Sequence, residues 1–392
     1  MSSPTSDSPH GASRGKRAAE RPPTRRQRRA ASKTPSPETA TSVEDSTETD
    51  PAEGPVTWLL VLWTAVLLAG ALALAWSALP GVIGHESVVT DVAPAPAWLD
   101  AAGSVAVVTS LSWLLATRTA GRALIATGLA LTLGVASVLI GGRVLPTGAA
   151  VMTCAVGGVY AVMATVPAIT FWRSVREVVG ATAISGLTAL AAVGFEPTVA
   201  IARFELAALV VALVLAFAIV YRLGAGLHGL GLHGLGRRGV IVVALGLGVL
   251  IATMAYAELL RRYGAQSFVS SVLDFVDWTT ARIGAFPRPL VALLGIPALV
   301  WGTHVRARRR QGWWVCAFGV AATVPMATAL VAPDSSYLEA LLRAAYSLAV
   351  GLPLGYLVIR VDLWLTGPRG SRGRRAEEAG AHRPEPSRFA EL

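Results

Sequence analysis

Carboxylates are the side chains of this chain whose placement most resembles a chemical site. Twelve lie between positions 56 and 367, and ten of them gather on one side of the apolar stretches: Glu86, Asp91, Asp100, Glu196, Glu205, Glu258, Asp274, Asp277, Asp334 and Glu339. Only Glu177 and Asp362 fall on the other side. Acids contribute little to the way a membrane chain inserts, so this asymmetry is not a by-product of insertion. Glu86 and Asp91 on one loop, Asp274 and Asp277 on another, and Arg343 together make a candidate outer-face polar site. A positioned carboxylate there could serve as a general base toward a substrate outside the membrane. The plain alternative is a solvated rim whose acids pair with nearby arginines.

Other reactive types are sparse. Cys154 and Cys316 sit inside apolar stretches and behave there as small apolar residues, with no CxxC spacing to suggest a disulfide or a metal. His228 and His233 belong to a tandem LHGLG, 227–231 and 232–236, in a Gly-rich run. Two histidines on such backbone make a poor metal site, so the segment reads as a linker and neither metal nor cofactor is expected.

The elements that must position these residues are ten apolar stretches: Val56–Leu79, Trp98–Ala116, Ala123–Ile140, Thr147–Phe171, Val178–Phe195, Phe204–Leu223, Val240–Leu260, Leu290–Val305, Trp313–Val331 and Leu341–Ile359. Each is about long enough for a helix to cross a hydrocarbon layer of ~30 Å. Backbone polar groups must be satisfied internally there, which leaves an all-α bundle. Of the 392 residues 53% are hydrophobic and 15% charged, against ~25% charged in soluble domains. The expectation is a polytopic integral membrane protein with about ten spans, placed in the plasma (cytoplasmic) membrane.

Arginine sets the orientation. With the N-terminus inside, inner loops hold twelve basic residues and outer loops seven: Arg143, Arg203, Arg261, Arg262, Arg282, Arg288 and Arg343. The basic tails join the inner side, so the positive-inside rule selects both termini cytoplasmic. Residues 1–55 are polar, first basic (Arg14 to Lys33) and then acidic (Glu38 to Glu53), and are expected to be disordered, as is the basic tail 367–392. Between them lies the membrane domain 56–366, with candidate halves 56–223 and 240–366 joined by the Gly-rich loop 224–239. The Arg-rich tails suit anionic lipid headgroups, at ~1 kcal/mol per residue near the surface. The N-terminal tail also suits a protein partner, with Thr47 and Thr49 open to phosphorylation. Neither tail carries the aromatics that would stack nucleic-acid bases.

Two outer loops are long, 80–97 and 261–289. In the second, Phe268, Val269, Val272, Leu273, Val276 and Ile283 share one helical face and Ser270, Ser271, Asp274, Asp277 and Thr280 the other. This predicts a helix lying on the outer surface, with Ser267 as N-cap and Trp278 near the interface. Ser87, Val89 and Asp91 echo Ser270, Val272 and Asp274, too little to establish a duplicated unit. Pro167, Pro297, Pro325 and Pro353 are expected to kink spans, the last within Gly351-Leu-Pro-Leu-Gly355. No ionisable residue is expected near the middle of a span, and Arg343, four after Glu339, is the deepest. Carriers coupled to protons or ions usually hold such a group at the midplane, which weighs against that class.

In span count alone the chain resembles the ten-helix drug and metabolite exporters built from two five-helix halves, whose loops are far shorter than 80–97 and 261–289. The acids Glu86 and Asp91 after the first span resemble those of polytopic glycosyltransferases that use lipid-linked sugars, whose first outer loop is longer. Both are likenesses of architecture. The favoured expectation is a permease or translocator of a solute or lipid, entered between the kinked last three spans and the outer acids. A non-catalytic membrane component recruiting partners through its tails comes second. A transferase using a lipid-linked donor, with Glu86 or Asp91 as base, comes third.

Overall fold

In the computed structural model the described residues are 54–83, 95–96, 98–222, 266–308, 314–331 and 336–366. Among them every regular element is helical and no strand occurs. In chain order they are α1 (Gly54–Ile83), α2 (Trp98–Arg118), α3 (Ala123–Ile140), α4 (Val144–Met163), α5 (Phe171–Val193), α6 (Ile201–Arg222), α7 (Gln266–Ile283), α8 (Ile296–Arg308), α9 (Trp314–Ala327) and α10 (Tyr337–Thr366). All but α7, α8 and α9 are long and apolar enough to cross a membrane. The expected span Val240–Leu260, the LHGLG repeat, loop acids Glu86 and Asp91, and both tails lie outside the described residues.

Burial runs the opposite way from a water-soluble protein. Large apolar side chains point outward: Leu124 is 87% exposed, Leu139 79% and Leu72 71%. Small hydroxyl residues point inward, and Ser110, Thr153, Ser185, Thr188 and Thr323 are all fully buried. Their hydroxyls return to carbonyls four residues earlier, as in Thr153 to Ala149 (2.7 Å) and Ser185 to Ala181 (2.9 Å). Hydrocarbon solvates a leucine surface without cost, whereas small residues let helices approach closely. The architecture is that of a helical membrane bundle.

α4 is the centre, with most of its residues buried. Its Gly157 faces α5 so closely that a Cβ there would stand 2.1 Å from Thr188 Oγ1. At Gly158 the hydroxyl of Thr323 on α9 donates to the carbonyl at 2.8 Å. α1 crosses α2 through Gly70 and Gly103, and Trp63 stacks on Trp113 with ring centroids 6.0 Å apart. On α10 the Gly351 and Gly355 pair receives Ile296 and Val300 of α8, where a Cβ would meet theirs at 2.6 and 2.7 Å. This is a small-xxx-small contact.

These contacts order the helix ends. α2 carries Asp100 in its first turn and finishes at Arg118, and the guanidinium of Arg222 at the end of α6 donates to Ala120 O (2.9 Å). Phe171 at the start of α5 meets Tyr356 in the second half of α10, edge to face at 5.1 Å. α1 therefore begins, and α10 finishes, at the Arg118 end of the bundle. Three expected spans change. Thr147–Phe171 breaks after Met163, and α5 starts at Phe171 rather than Val178. Leu290–Val305 opens on a π-helical turn, Val291–Gly295, in which Ile296 N–H reaches Val291 O. The wider turn admits Pro297, whose ring would collide with a carbonyl four residues back in a regular helix.

Close approach at Gly157 and open space at Gly128 make opposite predictions for the same change. Gly157→Ala should destabilise by about 1–3 kcal/mol through overpacking, lowering the unfolding temperature of detergent-purified protein. Gly128→Ala, where nothing lies within 4 Å, should leave it unchanged or slightly raised.

Candidate functional site

A group of buried polar atoms surrounds residues 164–170, between α4 and α5. α4 stops because Pro167 has no N–H to continue it and disfavours helical geometry at Val166. The non-helical run Thr165-Val-Pro-Ala-Ile-Thr170 then crosses the Arg118 end with residues 164–168 buried. Buried backbone must find partners, and here they come from other helices. Val166 N–H donates to Glu177 Oε2 (3.0 Å) and Ala168 N–H to Thr303 O (3.0 Å). Arg118 Nε donates to Met163 O (3.2 Å), capping the end of α4 where the helix dipole is negative. Arg306 donates to the hydroxyl of Thr165, which in turn donates to Val162 O (2.6 Å). Thr170 caps α5, accepting from Arg173 N–H at 3.4 Å.

Three ionisable residues, Arg118, Glu177 and Arg306, thus converge on one break from α2, α5 and α8. Arg118 is 2% exposed and Glu177 1%, and Arg306 is half-buried; His304, next to Thr303 on α8, is 5% exposed. Glu177 also accepts from Arg176 Nε at 3.3 Å, and that guanidinium is 66% exposed. Glu177 therefore joins the buried loop to the aqueous rim.

With α5 beginning at Phe171, Glu177 stands in its second turn, as Arg343 does in α10, each about 9 Å along its helix at ~1.5 Å per residue; what sets Glu177 apart is its burial. Pro167 does not kink a continuous span; it lies in the non-helical segment. Pro297 sits at the start of α8 and Pro325 in the last turn of α9, while α10 runs unbroken through Pro353. A signal for the junction was present in β-branched residues flanking Pro167 and in Glu177, a single acid among inner arginines. Continuous hydropathy across residues 147–171 masked it.

Of the candidate outer-face site, Glu86 and Asp91 lie outside the described residues, and Asp274, Asp277 and Arg343 are at the other end. Asp274 and Asp277 are exposed on α7, which begins one residue before the Ser267 expected to cap it. Arg343 is held by Glu339 one turn earlier. Beside it, half-buried Arg288 reaches Glu205 Oε1 (3.5 Å) and Pro325 O (2.9 Å), and its backbone N–H donates to Ser347 Oγ (3.2 Å). Burial pushes the Arg288 guanidinium below its ordinary range; Glu205 opposes this and Arg343 adds to it. Asp100, Glu196 and Tyr337 line a small cleft of about 110 Å³. No group of three or more His, Cys, Asp or Glu able to hold a metal occurs among the described residues.

No family model, no curated protein and no solved structure matches this chain.

The carboxylate of Glu177 should matter as an acceptor more than as a charge. Glu177→Ala leaves the Val166 N–H buried without its partner, a loss of about 1–3 kcal/mol. Glu177→Gln keeps an acceptor and should lose less. Thermal unfolding in detergent, alongside amide exchange at Val166, checks the order.

Proposed function

We propose that this chain is a multi-pass membrane translocator of a solute or lipid, and that the junction at 164–170 is the inner part of its path. The observation that carries this is the burial of Arg118 and Glu177 against interrupted backbone inside a bundle whose outside is apolar. Ionisable groups within membrane bundles face pathways, and broken helices present their backbone groups to substrates. The π turn before α8 borders the close α8–α10 contact, and Pro353 lies within it. Sliding there would open a route between the junction and the Asp100 end.

In this reading the chain crosses the plasma membrane ten times with the Arg118 end cytoplasmic. Support comes from the chain ends: α1 starts and α10 finishes at that end, beside Arg122, Arg173, Arg176 and Arg360. A crossing between Arg222, at the Arg118 end, and Ile283, at the opposite end, accounts for the span expected at Val240–Leu260. Both Arg-rich tails then lie against anionic cytoplasmic lipid.

Two experiments test this. Alkaline phosphatase fused after Glu196 or after Gly284 should be active outside the cytoplasm, whereas fusions after Arg222 or Thr366 should be inactive; the reverse pattern rejects the orientation. Proteoliposomes carrying the full chain should move at least one member of a labelled metabolite and lipid panel at least tenfold faster than protein-free vesicles. Arg306→Gln should slow that flux while Leu131→Ala, on the lipid-facing side of α3, leaves it intact. Flux no faster than in protein-free vesicles for every member would reject translocation.

A further inference from the structure

We infer that α7 is seated in the outer lipid monolayer. Its Val272, Phe275 and Ile283 side is immersed, its Asp274 and Asp277 side is in water, and Trp278 with Arg282 marks the waterline between them. The inference rests on the membrane reading of the bundle. On a helix of 3.6 residues per turn, positions 272, 273, 275, 276 and 283 fall within one half of the circumference, and 270, 274, 277 and 281 within the other. The bundle does not cover the apolar half: Val272, Leu273, Phe275 and Ile283 are 45% to 56% exposed. Trp278 sits at the border, with the Arg282 guanidinium 5.0 Å from its ring centroid. Such a pair suits headgroup depth, where an aromatic ring meets the acyl boundary and a guanidinium extends toward phosphate and water.

The height at which α7 is tethered is what selects lipid as the occupant. Tyr346 OH donates to Ile283 O at 2.8 Å, so the end of α7 lies beside the third turn of α10 and not beyond its tip. Five residues on, Arg288 joins the first turns of α6 through Glu205 and the last turn of α9 through Pro325 O. Those helix ends mark where the apolar belt of the bundle gives way to polar groups. Between them Gly284 adopts φ +81°, closing α7 with its N–H on Thr280 O (2.8 Å). The turn brings Phe286 edge to face against Phe275, centroids 6.2 Å apart, and Ala285 is fully buried. An amphipathic helix held at that level meets the acyl boundary with its apolar half, as interfacial helices do.

The test places nitroxides along α7 of the full chain in phosphatidylcholine nanodiscs, with Cys154 and Cys316 first replaced by alanine. Labels at Val272→Cys, Phe275→Cys and Ile283→Cys should collide with oxygen in preference to a water-soluble nickel chelate. Asp274→Cys and Asp277→Cys should show the reverse. A label at Leu131→Cys, outward on α3, reports the bundle's own lipid contact. If Leu131 behaves as lipid-facing while 272, 275 and 283 follow the chelate or are shielded from both reagents, the seating of α7 is overturned and the bundle reading survives. If Leu131 itself follows the chelate, both fall together.

Discussion

Peptide groups buried among apolar helices cannot turn to water, and between α4 and α5 the helix that would satisfy them stops. Between Met163 and Thr170 the backbone passes through the bundle without its own ladder. Three of its polar atoms are met by residues from elsewhere: Met163 O by Arg118, Val166 N–H by Glu177 and Ala168 N–H by Thr303 O. The buried charges are consequences of that break. A guanidinium or carboxylate inside an apolar bundle is tolerated where it has partners, and the open backbone supplies them. Because α4 is also the central helix, its interruption ties α2, α5 and α8 to one point.

Around that point the packing follows from the solvent. Leucine outside and serine, threonine and glycine inside is the arrangement that lets helices touch where lipid offers no hydrophobic drive to associate. Gly157 against Thr188, Gly158 beneath Thr323 and Gly351 with Gly355 beneath Ile296 and Val300 are versions of one contact. The α8–α10 contact differs in being bordered by a π turn and carrying Pro353. Proline and π turns loosen the hydrogen-bond ladder locally. The tightest side-chain packing and the least regular backbone are thus adjacent.

The two ends of the bundle handle charge differently. At the Arg118 end ionic groups are drawn inward to the broken segment. At the Asp100 end they pair at the rim, as in Arg343 with Glu339 and Arg288 with Glu205, or stand exposed, as Asp274 and Asp277 do on α7. The proposed path for a cargo would therefore meet more protein chemistry at the buried end. The exposed rim instead sets the level at which the bundle meets its surroundings.

Composition and hydropathy were enough to specify the helical class, the apolar exterior and most helix positions; Ala123–Ile140 falls where the apolar stretch does, because an uninterrupted run in lipid has no alternative to helix. The two faces of α7 were equally legible, since a 3.6-residue period needs no partner to be seen. The junction was not. Hydropathy treats Thr165, Val166 and Pro167 as three more residues of a span, and Glu177 as a loop acid just outside the next one. Whether a chain bends at a proline or stops there depends on what stands ready to accept the freed groups. Here those are side chains of α2 and α5 and a backbone carbonyl of α8, the last more than a hundred residues distant in sequence, and only folding brings them together. For the same reason the acids gathered on one side of the chain told of an end of the bundle, while the convergence of charge on a single segment was decided by tertiary contact.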